Sequence, residues 1–133
     1  LESVNRPCKL LFLRNYIFRQ NNPAVIGVDI LNGRLKVGMK FIKKDGSSIG
    51  EVKSIQSEGK GISEVEKGKQ VAISLPNVTV GRQINEGDIF YSDLNENNFR
   101  KLKDMKKFLN IDEVELLKEI VIIKRKENTL WGI

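Results

Sequence analysis

From Cys8 to Tyr91 apolar and polar residues mostly alternate, and Gly, Asn and Asp break the chain into short runs. That is the signature of successive half-buried strands. Ala24, Ile26, Val28 and Ile30 share one face, Val25, Asp29 and Leu31 take the other, and Asn32-Gly33 reads as the closing turn. Val71, Ile73 and Leu75 form a second inward row, with Gln70, Ala72 and Ser74 predicted outward. Asp45-Gly46 signals a hairpin, since glycine supplies the positive φ such turns require. Between Ile49 and Ile55 the alternation slips at Val52, which predicts a bulge or a sharp twist. The spacing predicts strands near 8–13, 16–20, 24–31, 39–43, 49–56, 62–66, 70–75 and 88–91. Closing them into an antiparallel barrel of about six to eight strands would remove the edges that so many short strands leave.

After Leu94 the period becomes helical, with Phe99, Leu102, Met105 and Leu109 recurring every three or four residues. Asn95 or Asn97 can cap this helix. A second helix is expected from about Asp112, itself read as the cap, with Val114, Leu117, Ile120 and Val121 inward. Lys124 to Lys126 would then complement the negative end of its dipole. The short loop at Asn110 predicts an antiparallel helix pair. The class is therefore mainly β with two C-terminal helices: a remnant of linker over 1–7, a barrel over 8–94, and a helix pair over 95–133 on or beside it.

Composition narrows the chemistry. Lys and Arg number 23 against 17 Asp and Glu, a net charge of +6, which favours an anionic partner. The single cysteine, Cys8, cannot form an internal disulfide, and there is no histidine. Ser-His and Cys-His nucleophiles and most zinc sites are thereby excluded. No apolar run approaches the roughly 20 residues of a membrane span, and a reducing cytoplasm is expected. With no methionine before Met39, the sequence reads as a piece of a longer protein.

Phosphate loops fail on inspection. Gly59-Lys60 has Ser54 where a Walker loop needs glycine and Gly61 where it needs Ser or Thr; Gly68-Lys69 has Ser63 and Gln70. Asp112, Glu113 and Glu115 read as the acidic first turn of a helix rather than a paired acid and base. The stretch Arg14, Tyr16, Phe18, Arg19 with the amides of Gln20, Asn21 and Asn22 mixes cations with rings. Such a surface can stack an unpaired base while its cations meet phosphates. The competing reading is a barrel-rim hairpin whose Tyr16 and Phe18 close the core. Lys60 and Arg82 sit on glycine-flanked loops that fit either reading. The helical tail carries Arg100, Lys101, Lys103, Lys106, Lys107, Lys118 and Lys124 to Lys126, a pattern that is also an ordinary solvated face. The ending Leu130, Trp131, Gly132, Ile133 either folds back on the helices or awaits a partner.

Several runs taken together resemble the C-terminal domain of translation initiation factor 5B. They are Pro7-Cys8-Lys9-Leu10, Tyr16, Phe18-Arg19-Gln20, Asn22-Pro23-Ala24, Gly27-Val28, Gly33, Leu35-Lys36 and Gly38. Gly50-Glu51, Ile55, Glu58-Gly59-Lys60, Val71-Ala72-Ile73-Ser74, Val80-Gly81-Arg82 and Glu86-Gly87-Asp88 continue the match. Gly33, Leu35 and Gly38 alone would fit almost any translational GTPase barrel, including one of elongation type that never touches tRNA. The Trp131-Gly132 ending looks more like the archaeal branch.

The resemblance implies a closed barrel of the translational-GTPase type that performs no catalysis itself. GTP and Mg would belong to another domain of the parent factor, leaving this chain without a cofactor. It implies that the barrel holds the aminoacylated 3′ end of initiator methionyl-tRNA on the ribosome, and that the helices dock initiation factor one-A. Arg14, Tyr16, Arg19, Lys60 and Arg82 are the candidate tRNA contacts. Leu116, Leu117, Lys118, Lys124 and Trp131 are the candidate partner contacts, for one-A or for another acidic peptide with apolar anchors. In the related bacterial factor the methionyl site uses a basic-aromatic loop and a cysteine. Gln56 to Ile62 and Val71 stand at the matching places, so those contacts do not carry over.

Overall fold

A computed structural model describes residues 6–132. The strands are β1 (Cys8–Arg19), β2 (Ala24–Lys36), β3 (Lys40–Lys43), β4 (Ser48–Glu51), β5 (Ser54–Ser57), β6 (Lys60–Ile62), β7 (Glu64–Glu66), β8 (Gln70–Leu75) and β9 (Ile89–Ser92). Two helices follow, α1 (Glu96–Asp104) and α2 (Ile111–Arg125), with a 3-10 turn at Lys106–Phe108 between them. Of the expected linker only Arg6 and Pro7 lie within the described residues, and Ile133 lies outside them.

The sheet runs β4-β3-β9-β1-β2-β8-β5-β6, with β7 paired to β2, and its neighbours are antiparallel. It is a curled, open half-barrel and not the closed barrel expected from the strand spacing. Among the described residues no ladder joins the two ends of this order. The reason lies at the slipped alternation. The pairing of β4 with β3 ends at Glu51 and that of β5 with β8 starts at Ser54, and the chain crosses between them on single bonds from Val52 N to Met39 O and from Lys53 N to Ser74 O. That bend returns Ile49, Val52 and Ile55 to one core, as a bulge or twist was expected to do.

The concave face packs Leu10, Phe12, Ile26, Val28, Phe41, Ile73 and Phe90 out of water. Each such side chain contributes about 1.5–3 kcal/mol of burial free energy. Alternation gives β3 and β9 a second buried face. Phe41 and Phe90 point inward, while Ile42 and Tyr91, paired in register, join Leu94, Phe99, Leu102, Leu116, Leu117, Ile120, Ile123 and Trp131 in a separate helical core. Lys9, on the same outer side, bonds Glu119 at 3.2 Å and lies 5.5 Å from the Tyr91 ring. The helices therefore cover the outer face of β3, β9 and the start of β1.

Local details correct several expectations. Residues 8–19 form one strand, because a bulge between Phe12 and Ile17 absorbs the break. Asn32-Gly33 is no strand end: β2 continues to Lys36, and Gly33 opposes Cys8. A Cβ on Gly33 would fall 1.7 Å from the Pro7 carbonyl oxygen, so only glycine fits. Ser74 is buried rather than outward, its hydroxyl bonded to that of Ser54 at 2.7 Å. Asn95 caps α1, as one of its two expected candidates. Asn110, not Asp112, caps α2: its side chain accepts from Glu113 N, and the Glu113 carboxylate accepts from Asn110 N. Glu113 is 2% exposed and also binds Arg6 at 2.7 Å, so its charge is compensated. Asp112 pairs with Lys67 and Glu115 with Lys118, which gives all three of these carboxylates structural partners. Burial pushes the Cys8 thiol well above its ordinary range.

Candidate functional site

Around Gly27, Ala72 and Gln56 the outer face of β2, β8 and β5 is not covered by the helices; α2 meets β2 farther along, where Asn32 Nδ2 donates to the Asp112 carbonyl at 2.7 Å. Register aligns Gly27, Ala72 and Gln56 in one row across these three strands. Their neighbours Ile26, Ile73 and Ile55 face the core, so the row faces outward. Toward this row β1 folds its bulge. Phe12 pairs with Val28 and Ile17 with Ile26, so residues 13–16 stand opposite the single residue Gly27. Asn15, at φ 66, takes the left-handed conformation that makes the bulge possible, and its N–H donates to Glu86.

The bulge lays Tyr16 across Gly27. A Cβ at position 27 would lie 2.6 Å from the Tyr16 Cβ, closer than side chains approach. Tyr16 and Phe18 are 50% and 62% exposed, with ring centroids 6.3 Å apart. They do not close the core, which decides against the rim-hairpin reading of these rings. An open cavity of about 470 Å³ results, walled by Tyr16 and Phe18 on one side and Gln56 to Gly59 on the other, over Val25, Gly27 and Ala72.

Of the five residues predicted for tRNA, Tyr16 lines this cavity. Lys60 is exposed directly after the Gly59 that does. Arg19 is exposed at the end of β1 and donates Nε to Asn21 O at 3.0 Å. Arg82 is exposed on a loop tied to the residue after β1 by the Val80 N bond to Gln20 O at 2.9 Å. Arg14 stands apart, beside the Gly87 turn. Sequence reasoning did not assign Gly27, Val25, Ala72 or Glu58 to the site; cross-strand register brings the first three together, and the turn between Ser57 and Lys60 brings Glu58 to the cavity wall.

The predicted partner contacts separate. Leu116 is wholly buried and Trp131 is 7% exposed, so as they stand neither is a docking anchor. The Trp131 ring packs on Phe99 with centroids 5.0 Å apart, Lys124 lies 6.0 Å from it, and Arg125 donates to the Trp131 carbonyl at 2.8 Å. Trp131 and Gly132 fold back on the helices, the first of the two expected alternatives, while Leu130 stays exposed and Ile133 lies outside the described residues. Lys124 itself pairs with Asp93. Leu117, though mostly buried, borders a second groove of about 330 Å³ with Phe99, Val114, Val121 and Ile122, edged by Lys103, Lys106, Lys118 and Arg125. Among the described residues no group of acidic, cysteine or histidine side chains is arranged to hold a metal ion.

Residues 6–91 match the family model described as elongation factor Tu domain 4. The chain is 47% identical over 130 residues to a probable translation initiation factor IF-2 of Methanocella arvoryzae, covering 97% of this chain and 22% of that protein. A protein of the same description from Methanopyrus kandleri is 43% identical over 100% of this chain and 22% of its own length. The chain thus spans about a fifth of the length of the curated relatives it matches. The solved structure of GDP-bound aIF5B from Aeropyrum pernix superposes with a TM-score of 0.92 at 31% identity, over 98% of this chain and 22% of that one. A bacterial selenocysteine-specific elongation factor, EF-Sec, shares the fold alone, with a TM-score of 0.53 at 20% identity over 69% of this chain and 16% of its own.

Proposed function

The chain belongs to the elongation factor Tu domain 4 family, as a C-terminal domain of the translation initiation factor IF-2/5B kind, and from that premise we propose that it is a non-catalytic module holding the aminoacylated 3′ end of initiator tRNA. The observation that carries this reading is the open cavity between Tyr16, Phe18 and the 56–59 loop, whose two rings are half or more exposed among the described residues. An unpaired terminal adenine stacks there, adding about 1–3 kcal/mol. Arg19, Lys60 and Arg82 meet the phosphates that follow, which makes affinity fall with salt. The working place is the ribosome in the cytoplasm. GTP and Mg belong to another domain of the parent factor, and this chain takes no cofactor of its own.

Titration with methionylated and uncharged acceptor-stem RNA at two salt concentrations tests the proposal. Tighter binding of the methionylated stem is expected, and Arg19→Ala or Lys60→Ala should weaken it and flatten its salt dependence. Unchanged affinity and slope in both variants would count against the reading.

A second reading concerns the helical groove bordered by Leu117 and Ile122, the latter 64% exposed. Its apolar floor and the Lys103, Lys106, Lys118 and Arg125 edge suit an acidic segment with apolar anchors. Initiation factor one-A docks there in this reading, and Lys118 replaces the buried Leu116 as the contact to mutate. Amide shifts on adding that factor should cluster within 95–132. Shifts confined to the groove over Gly27 would reassign the partner.

A further inference from the structure

The charge inside the cavity sets a polarity that the surrounding cations do not. Among the described residues lining it, Glu58 is the one that carries a charge; the others are apolar, aromatic, amide, hydroxyl or glycine. Among the described residues Glu58 has no partner within ion-pair distance. It also occupies an unfavourable backbone position. Ser57 pairs with Lys60 around a two-residue loop, with Glu58 at φ 52 and Gly59 at φ 79. A primed hairpin turn of this kind favours Asn, Asp or Gly at both positions. A glutamate held in the left-handed region is disfavoured locally, and such residues gather where a site needs them.

We infer that Glu58 recognises the free α-ammonium of the aminoacyl ester, making the cavity selective for an unblocked amino acid over an N-acylated one. This rests on the functional reading above. An uncompensated carboxylate repels phosphate, which favours entry of the strand with its phosphates outside, toward Lys60 and Arg19. The one cationic group at that end of an aminoacylated RNA is the α-ammonium. It would meet Glu58 while the amino-acid side chain rests on Val25, Gly27 and Ala72. Because Glu58 is exposed, water screens the pair, and the preference expected is about two- to five-fold.

The test uses acceptor-stem RNA with three 3′ ends on a stable amide linkage: methionyl with a free amine, N-acetylmethionyl, and none. The full chain should bind the free-amine stem about two- to five-fold more tightly than the acetylated one. Glu58→Gln should erase that difference and leave the uncharged stem bound equally or more tightly, since a repulsive charge is gone. Glu58→Asn, which suits the turn better and so guards against a folding artefact, should behave alike. A free-amine preference that survives in both variants, or equal binding of the two methionyl stems by the unaltered chain, overturns the inference and leaves the functional reading standing. Failure of the unaltered chain to bind any stem overturns both.

Discussion

Two outer faces of one sheet have opposite fates here. Over β3 and β9 the outward residues are Ile42 and Tyr91, and helices cover them; over β2, β8 and β5 they are Gly27, Ala72 and Gln56, and no helix does. Each face holds an aromatic pair against a glycine. Phe99 and Trp131 close on Gly132, whose added Cβ would lie 2.8 Å from the Phe99 ring, as Tyr16 closes on Gly27. The first pair is buried and the second exposed. The lesson is that a ring held tightly by backbone yet left open to water is positioned for something outside the chain. The covered pair answers to stability, and the open pair answers to binding.

Breaking the covered side should have the largest effect. Trp131→Ala removes a buried ring from Phe99 and Lys124, and should destabilise by about 3–5 kcal/mol in urea unfolding. RNA binding by the protein that remains folded should be unchanged. A loss of affinity there would couple two faces that the comparison treats as independent.

Gly27→Ala strikes the open side through its floor. The new Cβ would meet the Tyr16 Cβ at 2.6 Å, and neither atom sits on a flexible end. The strand bulge must shift, at about 1–3 kcal/mol. The methionylated stem should lose most of its advantage over the uncharged one. Full retention of both stability and preference would mean that Tyr16 is free to move and that the glycine serves no steric purpose.

Much of this was legible in the chain, and the omissions share a cause. Alternation found the inward rows of β2 and β8, and helical periodicity found the Phe99 and Leu102 stripe, because each reports a single element's own periodic burial. What needed two elements was missed. The Asn15 bulge merges two expected strands, a backbone event that the apolar pattern does not encode. Leu116 and Trp131 appeared available because no periodicity says which segment will cover a side chain. The cap at Asn110 is a different case. Its Asn-x-x-Glu signature with Glu113 stands in the sequence, and Asp112, two residues on, competes with it as a side chain of the capping type. At the site, Tyr16 was visible as a ring among cations, whereas Gly27 and Ala72 gained meaning only from register.

Tyr16→Ala and Phe18→Ala should change stability by no more than about 0.5 kcal/mol, since both rings are exposed. They should nevertheless weaken stem binding by about 1–3 kcal/mol, the size of a lost stacking platform. This dissociation of binding from stability is the sharpest form of the comparison. A stability loss as large as that of Trp131→Ala would show that the open rings serve the core after all.

The smallest effect belongs to the covered side. The β3 to β4 hairpin supports the end of α2: Lys126 donates to the Lys44 carbonyl at 3.5 Å, and Gly46 faces Ile123. Within it the Ser47 hydroxyl, at 2.6 Å, and then the Ser47 N–H, at 2.9 Å, donate to Asp45 and hold its carboxyl below the usual value. A depressed carboxyl contributes stability above its unfolded pKa of about 3.9 and loses it as pH falls through the folded value. Asp45→Asn keeps the turn's acceptor but removes the titration. The melting midpoint of the unaltered chain should therefore exceed the variant's slightly at pH 6 and converge with it in acid, while stem binding at pH 6 stays equal in the two. An offset that persists in acid would assign the difference to geometry rather than charge, and a change in stem binding would tie this hairpin to the open face.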